Sequence, residues 1–326
     1  MAQRVGLVVG KFSPLHLGHE ALINFAQANC DVLYIISYSN PEFRGCDAWT
    51  RYRWLKTRFP KAKLLVFNSR IGYYSGSPLP GGGFDIPPNS APDGVQRDFL
   101  RQVLECYCIE PTVMFSGEDY GPPCANYLGI EYVHYDRATK VSGTLIRQGD
   151  LNPAIWCSPV VRASLINRIA VLGAESSGKT TLCEALAEAH NTVWVPEYGR
   201  EYWEKNAGIH HPTELYHIAS EQYRRENSYA FLANRVMFLD TTTATTTWYA
   251  KKMFDTHLLV PSSRVDTLVL CLSDFPFVQD GTRNSAWAEE QREFYFGYYK
   301  SFQGPKIMVS GTVPERIKQV RVLANV

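Results

Sequence analysis

The chain has 326 residues, of which 45% are hydrophobic and 20% charged, and its 33 basic residues nearly balance its 32 acidic ones. This length predicts two domains of ordinary size, each with enough apolar residues for a hydrophobic core. The balanced charge argues against a protein that binds nucleic acid or membrane surfaces non-specifically, because both need a basic face.

The first half of the chain alternates short β-rich runs with helical patterns. Apolar residues recur at helical spacing between the runs, for example at Phe99, Leu100, Val103 and Leu104. This alternation predicts an α/β domain, a doubly wound parallel sheet covered by helices on both faces. The predicted strands are residues 4–10, 31–37, 63–67, 112–117 and 131–135.

The same alternation restarts after residue 165 and predicts a second doubly wound α/β domain. Residues 152–164 lie between the two patterns, contain prolines and show no clear periodicity, so we expect a linker there. The predicted domains are therefore residues 1–151 and 165–326. The second set of strands is residues 166–173, 192–197, 235–240, 266–272 and 306–311.

The lack of a recognisable signal peptide or membrane-spanning run and the scattered cysteines both favour a cytoplasmic protein. Residues 1–9 contain too short an apolar run for a signal peptide, and no apolar stretch approaches the roughly 20 residues of a membrane-spanning helix. The eight cysteines are scattered without a C-x-x-C pair, which favours reduced thiols over disulfides or a zinc site.

Residues 71–94 do not fit the alternation. They are dense in glycine and proline and cannot form a regular element. A loop of this length is usually functional or disordered. Its aromatic residues Tyr73, Tyr74 and Phe84 leave two interpretations open, a lid over a flat ligand and a mobile surface loop.

The first strand runs into the turn GKFSPLHLGH, residues 10–19. A helix that begins near Leu17 would place His16 and His19 on the same side of its N-terminus, where free backbone N–H groups attract anions. Lys11 adds a mobile cation. An arbitrary H-x-x-H is more often a surface or metal-binding pair, but the strand, the glycines, the proline and the helix start together favour a phosphate site. Glycines 10 and 18 would let the backbone approach the ligand.

The pattern G-K-F-x-P-x-H-x-G-H resembles the signature of the nucleotidyltransferase superfamily that includes the class I aminoacyl-tRNA synthetases. The run VSGTLIR, residues 141–147, resembles the S-x-T-x-x-R element of the small adenylyltransferases. This resemblance implies that Ser142 and Thr144 contact the β- and γ-phosphates of ATP and that Arg147 is a bidentate phosphate donor. It implies further ATP or phosphate contacts at Gly10, Phe12 and Gly18.

The reaction implied by this resemblance needs no protein nucleophile. A phosphate of one substrate attacks the α-phosphorus of ATP and pyrophosphate leaves, with Mg²⁺ assisting. The protein aligns the groups and neutralises their charge. His16 and His19 would contact the α-phosphoryl group and the leaving phosphates, Lys11 would contact the phosphates as well, and none of the three is assigned as a general base.

The second domain opens with GAESSGKT, residues 173–180, which fits the P-loop pattern G-x-x-x-x-G-K-[ST] between a predicted strand and a helix. In this pattern Lys179 reaches the β/γ-phosphates of a nucleotide and Thr180 ligates Mg²⁺. The remaining predicted phosphate-binding residues of this turn are Gly173, Ser176, Ser177, Gly178 and Thr181.

Downstream residues favour a small-molecule kinase among P-loop proteins. Asp240 ends a predicted strand, where such proteins hold a Mg²⁺-linked carboxylate. Glu197 ends another and is our first choice for the acceptor hydroxyl, although the two roles could be exchanged. Arg283 lies where kinases carry a lid and would stabilise the transferring phosphoryl group. No N-K-x-D run of a GTPase is present.

The helix predicted to follow Glu197 supplies further polar residues. Tyr198 and Arg200 are candidate substrate-binding residues. For Glu201 we favour an ordinary cap or ion pair.

Together with PEYGREY, FLDTTTATT and DGTRN, the two turns resemble the bifunctional NadR-like family, in which a nicotinamide-nucleotide adenylyltransferase is fused to a ribosylnicotinamide kinase. The resemblance covers nearly the whole chain. It implies a cytoplasmic enzyme of NAD biosynthesis that converts nicotinamide riboside to the mononucleotide (NMN) and NMN to NAD, with ATP as co-substrate and Mg²⁺ as cofactor. The implied partners are these small molecules, with no nucleic acid and no membrane, and a homo-oligomer is left open.

The sequence departs from this family at several points. The first strand begins at Arg4, so we expect no N-terminal helix-turn-helix repressor domain. Thr242 stands where the family commonly has an acidic residue, and Val95 where an aromatic residue is expected after DG. The insertion at 71–94 occupies a region that should contact nicotinamide.

Two alternatives remain at this level. One is an adenylyltransferase–kinase fusion that acts on another cofactor precursor. The other is a nucleotide-sensing regulator that binds without turnover, against which the intact Lys11, His16, His19, Lys179 and Asp240 count. A tRNA synthetase is disfavoured because the chain has no K-M-S-K-S run and no basic extension.

Overall fold

The computed structural model describes residues 3–67, 85–137, 141–274 and 287–324. The chain divides into two compact units, Met1–Ser164 and Leu165–Val326. Each unit contains a five-stranded sheet, and every strand pairing within these sheets is parallel. The predicted architecture of two doubly wound parallel α/β domains is therefore confirmed.

The sheet of the first unit has the strand order β3-β2-β1-β4-β5. Its central strand β1 pairs with β2 on one side and with β4 on the other. The connections of the chain therefore run to opposite sides of β1, which leaves a crevice at the carboxyl ends of these strands. Ligands of open α/β sheets bind in such a crevice. The strands are β1 (Val5–Gly10), β2 (Val32–Ser37), β3 (Lys63–Val66), β4 (Val113–Ser116) and β5 (Glu131–His134).

Helices connect these strands and bury apolar residues against the sheet. In α3 the residues Phe99, Leu100, Val103 and Leu104 are buried and join the core around Leu7 and Val9 of β1, as the helical spacing predicts. The helices are α1 (Leu17–Ala28), α2 (Ala48–Arg58), α3 (Asp93–Cys106), α4 (Gly121–Leu128), α5 (Gly143–Gln148), α6 (Pro153–Trp156) and α7 (Pro159–Leu165).

Residues 152–164, for which the sequence predicts a linker, form α6 and most of α7 and lie within the first compact unit. Asn152 caps α6 by accepting a hydrogen bond from the Ala154 N–H at 3.0 Å. Ser164 accepts one from the indole Nε1–H of Trp54 at 3.0 Å, and Trp54 is fully buried. The segment is tied to α2 by this buried contact.

The sheet of the second unit has the order β10-β9-β6-β8-β7, with β6 at the centre. Successive residues of β6 serve the two faces of the sheet. Ile169 and Val171 join one buried cluster and Ala170 and Leu172 another, as the pleat of a strand requires. The strands are β6 (Asn167–Leu172), β7 (Trp194–Val195), β8 (Val236–Leu239), β9 (Thr267–Cys271) and β10 (Lys306–Val309).

The helices of the second unit are α8 (Lys179–Ala189), α9 (Tyr198–Asn206), α10 (Pro212–Tyr229), α11 (Thr243–Phe254), α12 (Ala288–Ser301) and α13 (Val313–Ala324). Helix α8 starts at the predicted P-loop lysine and buries Leu182 and Leu186 against β6. Within the described ranges, no helix of either unit is both long enough and apolar enough to cross a bilayer.

Candidate active sites

His16 and His19 hold the start of α1 through a reciprocal capping box. His16 is the N-cap residue, and its Nδ1 accepts a hydrogen bond from the His19 N–H at 3.3 Å. The His16 N–H donates in turn to His19 Nδ1 at 3.4 Å. The two rings stack with centroids 3.6 Å apart. The helix therefore begins at Leu17, as predicted, and its start depends on both imidazoles.

The same hydrogen bonds fix the protonation state of the pair. Each Nδ1 accepts a backbone N–H, so the proton of each neutral ring is assigned to Nε2 from the hydrogen-bond network. Burial, helped by the positive charge of Arg137, lowers the pKa of His16 to about 4. Burial also holds the pKa of His19 well below its ordinary value, with further contributions from His16 and Arg137. The pair consists of two neutral donors at neutral pH.

These histidines open onto a cavity of about 490 Å³ in the first unit. Among the described residues, the cavity brings together most of the predicted nucleotide-binding set. The predicted residues that line it are Gly10, Lys11, Phe12, His16, His19, Ser142, Thr144 and Arg147. Gly18 is not among the lining residues. A Cβ there would lie 2.9 Å from Val141 and 3.2 Å from the His16 ring, so the position is closely packed.

The segment 141–147 forms one wall of this cavity. Ser142 caps α5 by accepting a hydrogen bond from the Leu145 N–H at 3.2 Å. One turn on, Arg147 donates to the hydroxyl of Thr144 at 3.1 Å and to the carbonyl of Ser13. Its guanidinium carbon lies 3.8 Å from the centroid of the Phe43 ring. These contacts aim a cation at the turn that carries the histidines.

Arg137 and Glu118 line the same cavity and were missed in the sequence. Their side chains form an ion pair, and Arg137 lies close enough to lower the pKa of both histidines. Each residue follows the carboxyl end of a strand, β4 for Glu118 and β5 for Arg137. That position was the signal available in the sequence, since side chains after parallel strands gather at one edge of the sheet.

The departures noted around α3 have different outcomes. Val95 lies in α3, is 47% exposed and does not line the cavity, whereas its neighbours Gln96 and Arg97 do. Residues 71–84 of the insertion, including Tyr73, Tyr74 and Phe84, fall outside the described residues. Asn89, Ala91 and Asp93 from its C-terminal part line the cavity.

The turn before α8 has the geometry of a phosphate-binding loop. A Cβ at Gly173, where φ is +153°, would lie 2.6 Å from the carbonyl oxygen of Cys271, so only glycine fits there. Gly178 has φ +78° and caps α8. Lys179 bends back over the turn and donates from Nζ to the Ala174 carbonyl at 3.0 Å. Successive amides of such a turn form a concave anion site.

Arg316 holds this turn from behind. It is 1% exposed and donates to the carbonyl of Ser177 at 2.6 Å, to that of Gly311 at 2.9 Å and to that of Leu272 at 3.1 Å. The guanidinium thus links α13 to the P-loop and to the ends of β9 and β10. The sequence carried no signal for this residue, because Arg316 lies in an ordinary amphipathic helix far along the chain.

Thr180 and Asp240, predicted as the metal-binding pair, are in direct contact. The hydroxyl of Thr180 donates to Oδ2 of Asp240 at 2.7 Å. Asp240 is 1% exposed, and burial raises its pKa to about 7, with a further contribution from the negative charge of Glu197. Its second oxygen, Oδ1, is buried without a hydrogen-bond partner among the described residues.

A second cavity, of about 300 Å³, opens beside the P-loop. Among the described residues, its walls combine this turn with the starts of α9 and α11 and with parts of α10 and α12. The predicted residues that line it are Ser176, Gly178, Lys179, Thr180, Thr181, Glu197 and Arg200. Gly173 and Ser177 are not among the lining residues, and the Ser177 side chain is fully buried.

Tyr198 lies outside this cavity although it follows Glu197 directly. Its hydroxyl is 3.1 Å from His217 Nε2, and the guanidinium carbon of Arg225 lies 4.4 Å from the centroid of its ring. The predicted ion pair of Glu201 is confirmed, because Arg225 donates to its carboxylate at 2.6 Å.

Two further positions noted in the sequence are Thr242 and Arg283. Thr242 is 1% exposed, precedes α11 as its N-cap and does not line the cavity. Arg283 falls in residues 275–286, outside the described residues.

Three residues that the sequence did not indicate form a hydrogen-bonded cluster in the second cavity. Tyr249 Oη donates to Glu175 Oε1 at 2.8 Å, and Gln291 Nε2 donates to the same oxygen at 2.9 Å. Gln291 Oε1 accepts the Glu175 N–H at 2.8 Å. The cluster ties the P-loop to α11 and α12, and Trp287 beside it also lines the cavity.

Comparison with known proteins finds sequence similarity to NAD biosynthesis proteins. A sequence profile described as an AAA domain matches residues 168–316. The trifunctional NAD biosynthesis/regulator protein NadR of Salmonella typhimurium is 29% identical over 319 residues, which cover 90% of this chain and 74% of that protein. The chain is thus similar in sequence to the NadR proteins. At 90% coverage, the similarity extends over most of both units.

Solved NadR structures share the fold over the full length of the chain. A NadR structure in complex with NR has a TM-score of 0.68 at 20% identity and covers 100% of this chain and 97% of its own. A NadR structure in complex with NAD and AMP-PNP has a TM-score of 0.66 at 21% identity with the same coverage. The predicted resemblance to NadR-like proteins is thus confirmed.

Proposed function

We propose that the chain is a bifunctional enzyme of NAD synthesis. Its second unit phosphorylates nicotinamide riboside with ATP to give NMN. Its first unit transfers the adenylyl group of a second ATP to NMN, giving NAD and pyrophosphate. Similarity to a NAD biosynthesis protein over 90% of the chain supports this proposal, as does the likeness to NadR structures in complex with NR and with NAD and AMP-PNP.

The observation that carries the proposal is the presence of two differently built phosphate sites in one chain. In one cavity neutral imidazoles stand with Lys11 and Arg147. In the other a P-loop lysine stands with two carboxylates, Glu197 lining the cavity and Asp240 bonded to Thr180. The first set suits transfer between phosphates, because it offers donors and cations without a base. The second suits transfer to a hydroxyl, because it adds carboxylates.

In the first unit, adenylyl transfer requires alignment and charge neutralisation. The phosphate of NMN attacks the α-phosphorus of ATP, the bond from that phosphorus to the β-phosphate oxygen breaks, and pyrophosphate leaves. The Nε2–H groups of His16 and His19 donate to phosphoryl oxygens without being consumed as acids, because both rings are neutral. Arg147 and Lys11 offset the charge that develops on the leaving pyrophosphate.

In the second unit, the 5′-hydroxyl of the riboside attacks the γ-phosphorus of ATP and ADP leaves. Lys179 and the amides of the P-loop hold the β- and γ-phosphates. Glu197 lines the cavity without being the partner of Thr180, which favours it over Asp240 as the group that binds the hydroxyl and accepts its proton. Arg200, also in the wall, adds positive charge.

The residues around Asp240 fit a bound Mg²⁺. The ion prefers oxygen ligands, and here a hydroxyl and a carboxylate lie 2.7 Å apart, with one carboxylate oxygen buried and unbonded among the described residues. No group of three or more His, Cys, Asp or Glu side chains in the described residues forms a complete metal cage. Thr180 and Asp240 would hold the ion together with phosphate and water. When bound, Mg²⁺ neutralises phosphate charge.

The proposal is tested by incubating the full chain with nicotinamide riboside, ATP and Mg²⁺ and following NMN and NAD by chromatography. We expect NMN to appear first and NAD to follow. In Lys179→Ala we expect loss of riboside phosphorylation, while NAD formation from supplied NMN is retained. In His19→Ala we expect NMN to accumulate without NAD.

Other outcomes would contradict the proposal in distinct ways. Riboside phosphorylation that survives Lys179→Ala would remove the P-loop from the reaction. A chain inert toward both riboside and NMN, but active on another precursor, would replace the acceptor and keep the chemistry. A chain that binds ATP without any turnover would act as a nucleotide sensor.

A further inference from the structure

Glu226 is a fully buried carboxyl group that the proposed reaction does not use. It lies in α10, one turn beyond Gln222, and its side chain is 0% exposed. Burial raises its pKa to about 7, although the positive charge of Arg168 acts in the opposite direction. A buried carboxyl group is costly unless hydrogen bonds compensate it, so its partners indicate its role.

The partner of Glu226 is Ser263, which in turn holds the first residue of α11. The Ser263 hydroxyl donates to Glu226 Oε1 at 2.8 Å and accepts the Thr243 N–H at 2.9 Å. The Ser263 N–H donates to the Thr243 hydroxyl at 3.0 Å. The N-cap residue Thr242 makes no side-chain cap hydrogen bond. Ser263 therefore satisfies the N–H of the first helical residue, one of the helix-start amides that have no partner within the helix.

Helix α11 forms part of the wall of the second cavity. Its residues Thr245, Thr246 and Tyr249 line that cavity, and the helix begins three residues after Asp240. The orientation of its first turn therefore sets the positions of these side chains. It also limits the freedom of the short segment that carries the metal-binding carboxylate.

Helix α10 makes a second contact of this kind beside the other carboxylate, Glu197. Gln222 Oε1 accepts the Tyr198 N–H at 2.9 Å, at the start of α9 and directly after Glu197. Gln222 itself lines the cavity, whereas Glu226 does not. Two residues one turn apart on α10 thus support the starts of both helices that follow these carboxylates, Gln222 directly and Glu226 through Ser263.

We propose that Glu226 is a positioning residue for the second cavity: by accepting the Ser263 hydroxyl, it fixes the first turn of α11 and with it the wall made by Thr245, Thr246 and Tyr249. Its action is indirect, since Glu226 does not line the cavity and reaches α11 through Ser263 and Thr243. The activity test of this inference rests on the proposed riboside phosphorylation. The adenylyl transfer proposed for the first unit serves as an internal reference on the same chain.

The test compares Glu226→Leu, Glu226→Gln and Ser263→Ala in the full chain, with Ser228→Ala as a matched loss of an exposed hydroxyl on α10. We expect Glu226→Leu and Ser263→Ala each to lower kcat of riboside phosphorylation about tenfold, the size of effect seen when supporting hydrogen bonds are removed. Glu226→Gln keeps an acceptor oxygen and should stay within about twofold of the parent. Ser228→Ala and all adenylyl transfer rates should remain unchanged.

A double substitution separates positioning from general damage. If Glu226 acts through Ser263, the kcat of the variant that combines Glu226→Leu with Ser263→Ala should be no lower than that of the slower single variant. Additive losses, a kcat of Glu226→Leu equal to that of the parent, or a Glu226→Gln variant as slow as Glu226→Leu would overturn the inference. If Glu226→Leu does not fold, Ser263→Ala decides, because it removes only the hydroxyl.

Failure of the proposed phosphorylation would be recognised separately, as a parent chain inert toward riboside. The same variants would then be compared by Mg²⁺-dependent binding of AMP-PNP, counting only the part abolished by Lys179→Ala. Weaker binding in both Glu226→Leu and Ser263→Ala, with Glu226→Gln unchanged, would support the positioning role. Equal binding in all of them would overturn it.

Discussion

The hydroxyl of Thr180 and the carboxylate of Asp240 lie 2.7 Å apart, which joins the P-loop to the end of the neighbouring strand β8. The contact follows from the sheet, because β6 and β8 are adjacent and parallel, so the turns after them meet at one edge. It brings together two residues that are 60 positions apart in the chain. The pair also buries a carboxylate whose second oxygen has no partner among the described residues.

Asp240→Asn should abolish most riboside phosphorylation. The amide keeps the shape of the side chain but removes the negative charge that Mg²⁺ needs, so we expect kcat to fall at least about 100-fold. Adenylyl transfer from supplied NMN should be unchanged. Glu201→Gln is the control, because its carboxylate is already paired with Arg225 away from the cavity. A kinase rate of Asp240→Asn within tenfold of the parent would contradict the metal assignment.

Asp240 should also make the stability of the second unit depend on pH. Its pKa is raised from 3.8 to about 7, so between these values the unfolded chain ionises while the folded chain stays protonated. The contribution of Asp240 to the free energy of unfolding is therefore fully present below about pH 4 and is lost as pH rises through about pH 7. At about 1.4 kcal/mol per pKa unit, the loss approaches roughly 4 kcal/mol.

This loss is measured as the difference in unfolding free energy between the parent and Asp240→Asn, without Mg²⁺, from pH 4 to pH 8. Hydrogen exchange of peptides from β6 and α8 reports the second unit. Glu197→Gln removes the neighbouring charge and should reduce the loss. A difference that stays constant across this range would show that the carboxyl is not perturbed.

His16 should respond to pH in the opposite direction. Its pKa is lowered from 6.5 to about 4, so the folded chain holds the ring neutral while the unfolded chain protonates it. Stability from this group is present above about pH 6.5 and is lost as pH falls toward 4. Two variants separate its structural and chemical roles. His16→Ala should lose about 1 kcal/mol of stability as well as adenylyl transfer, whereas His16→Asn should keep the cap and lose only the transfer.

The nitrogen chemical shifts of the two rings provide a direct check on the tautomer. At pH 7 both Nδ1 atoms should be unprotonated and both Nε2 atoms should carry hydrogen. Signals of an imidazolium at this pH would contradict the neutral pair, and signals of the other tautomer would contradict the capping box.

Arg316→Met should disable the second unit while sparing the first. The substitution leaves the carbonyls of Ser177, Leu272 and Gly311 without this buried donor, at a cost of about 3 kcal/mol. We expect a lower urea midpoint for β6 and α8 and a loss of riboside phosphorylation, with adenylyl transfer retained. Arg321→Met changes an exposed arginine on the same helix and is the matched control. Equal midpoints for the two variants would contradict the anchoring role.

The two reactive turns could be predicted from the sequence because each is local. A strand, a glycine-bearing turn and a helix start occupy about a dozen consecutive residues, and backbone geometry then fixes where Lys179 or His16 must lie. The strands themselves follow from runs of apolar residues bounded by turns. An apolar run does not reveal which strand will lie next to it. Contacts such as that of Thr180 with Asp240 therefore depend on the order of the strands in the sheet, which the sequence pattern does not give.

Helix rotation explains why Tyr198 lies outside the cavity wall. The sequence groups Tyr198 with Glu197 and Arg200 as candidates for substrate contact, but neighbouring residues of a helix point about 100° apart. Tyr198 therefore contacts His217 and Arg225, while Arg200 lines the cavity. Which face of α9 meets the cavity depends on its packing against α10, and no short pattern encodes that.

Residues contributed by distant elements were the least predictable. Gln291 and Tyr249 reach Glu175 from two helices that are separate in the chain. Their types are common on any amphipathic helix, so nothing in their local spacing distinguishes them from surface residues. The segment 152–164 is similar, because its attachment to Trp54 depends on a buried site made by α2.

The stacked imidazoles at the start of α1 are expected to be under selection both for the proposed reaction and for folding. A lineage that loses either ring loses a proposed donor to the phosphates and weakens the beginning of the helix by the same substitution. Drift at this turn is therefore penalised twice, once in catalysis and once in folding. A surviving descendant that abandons the reaction would still be expected to carry both histidines, or to have replaced them together.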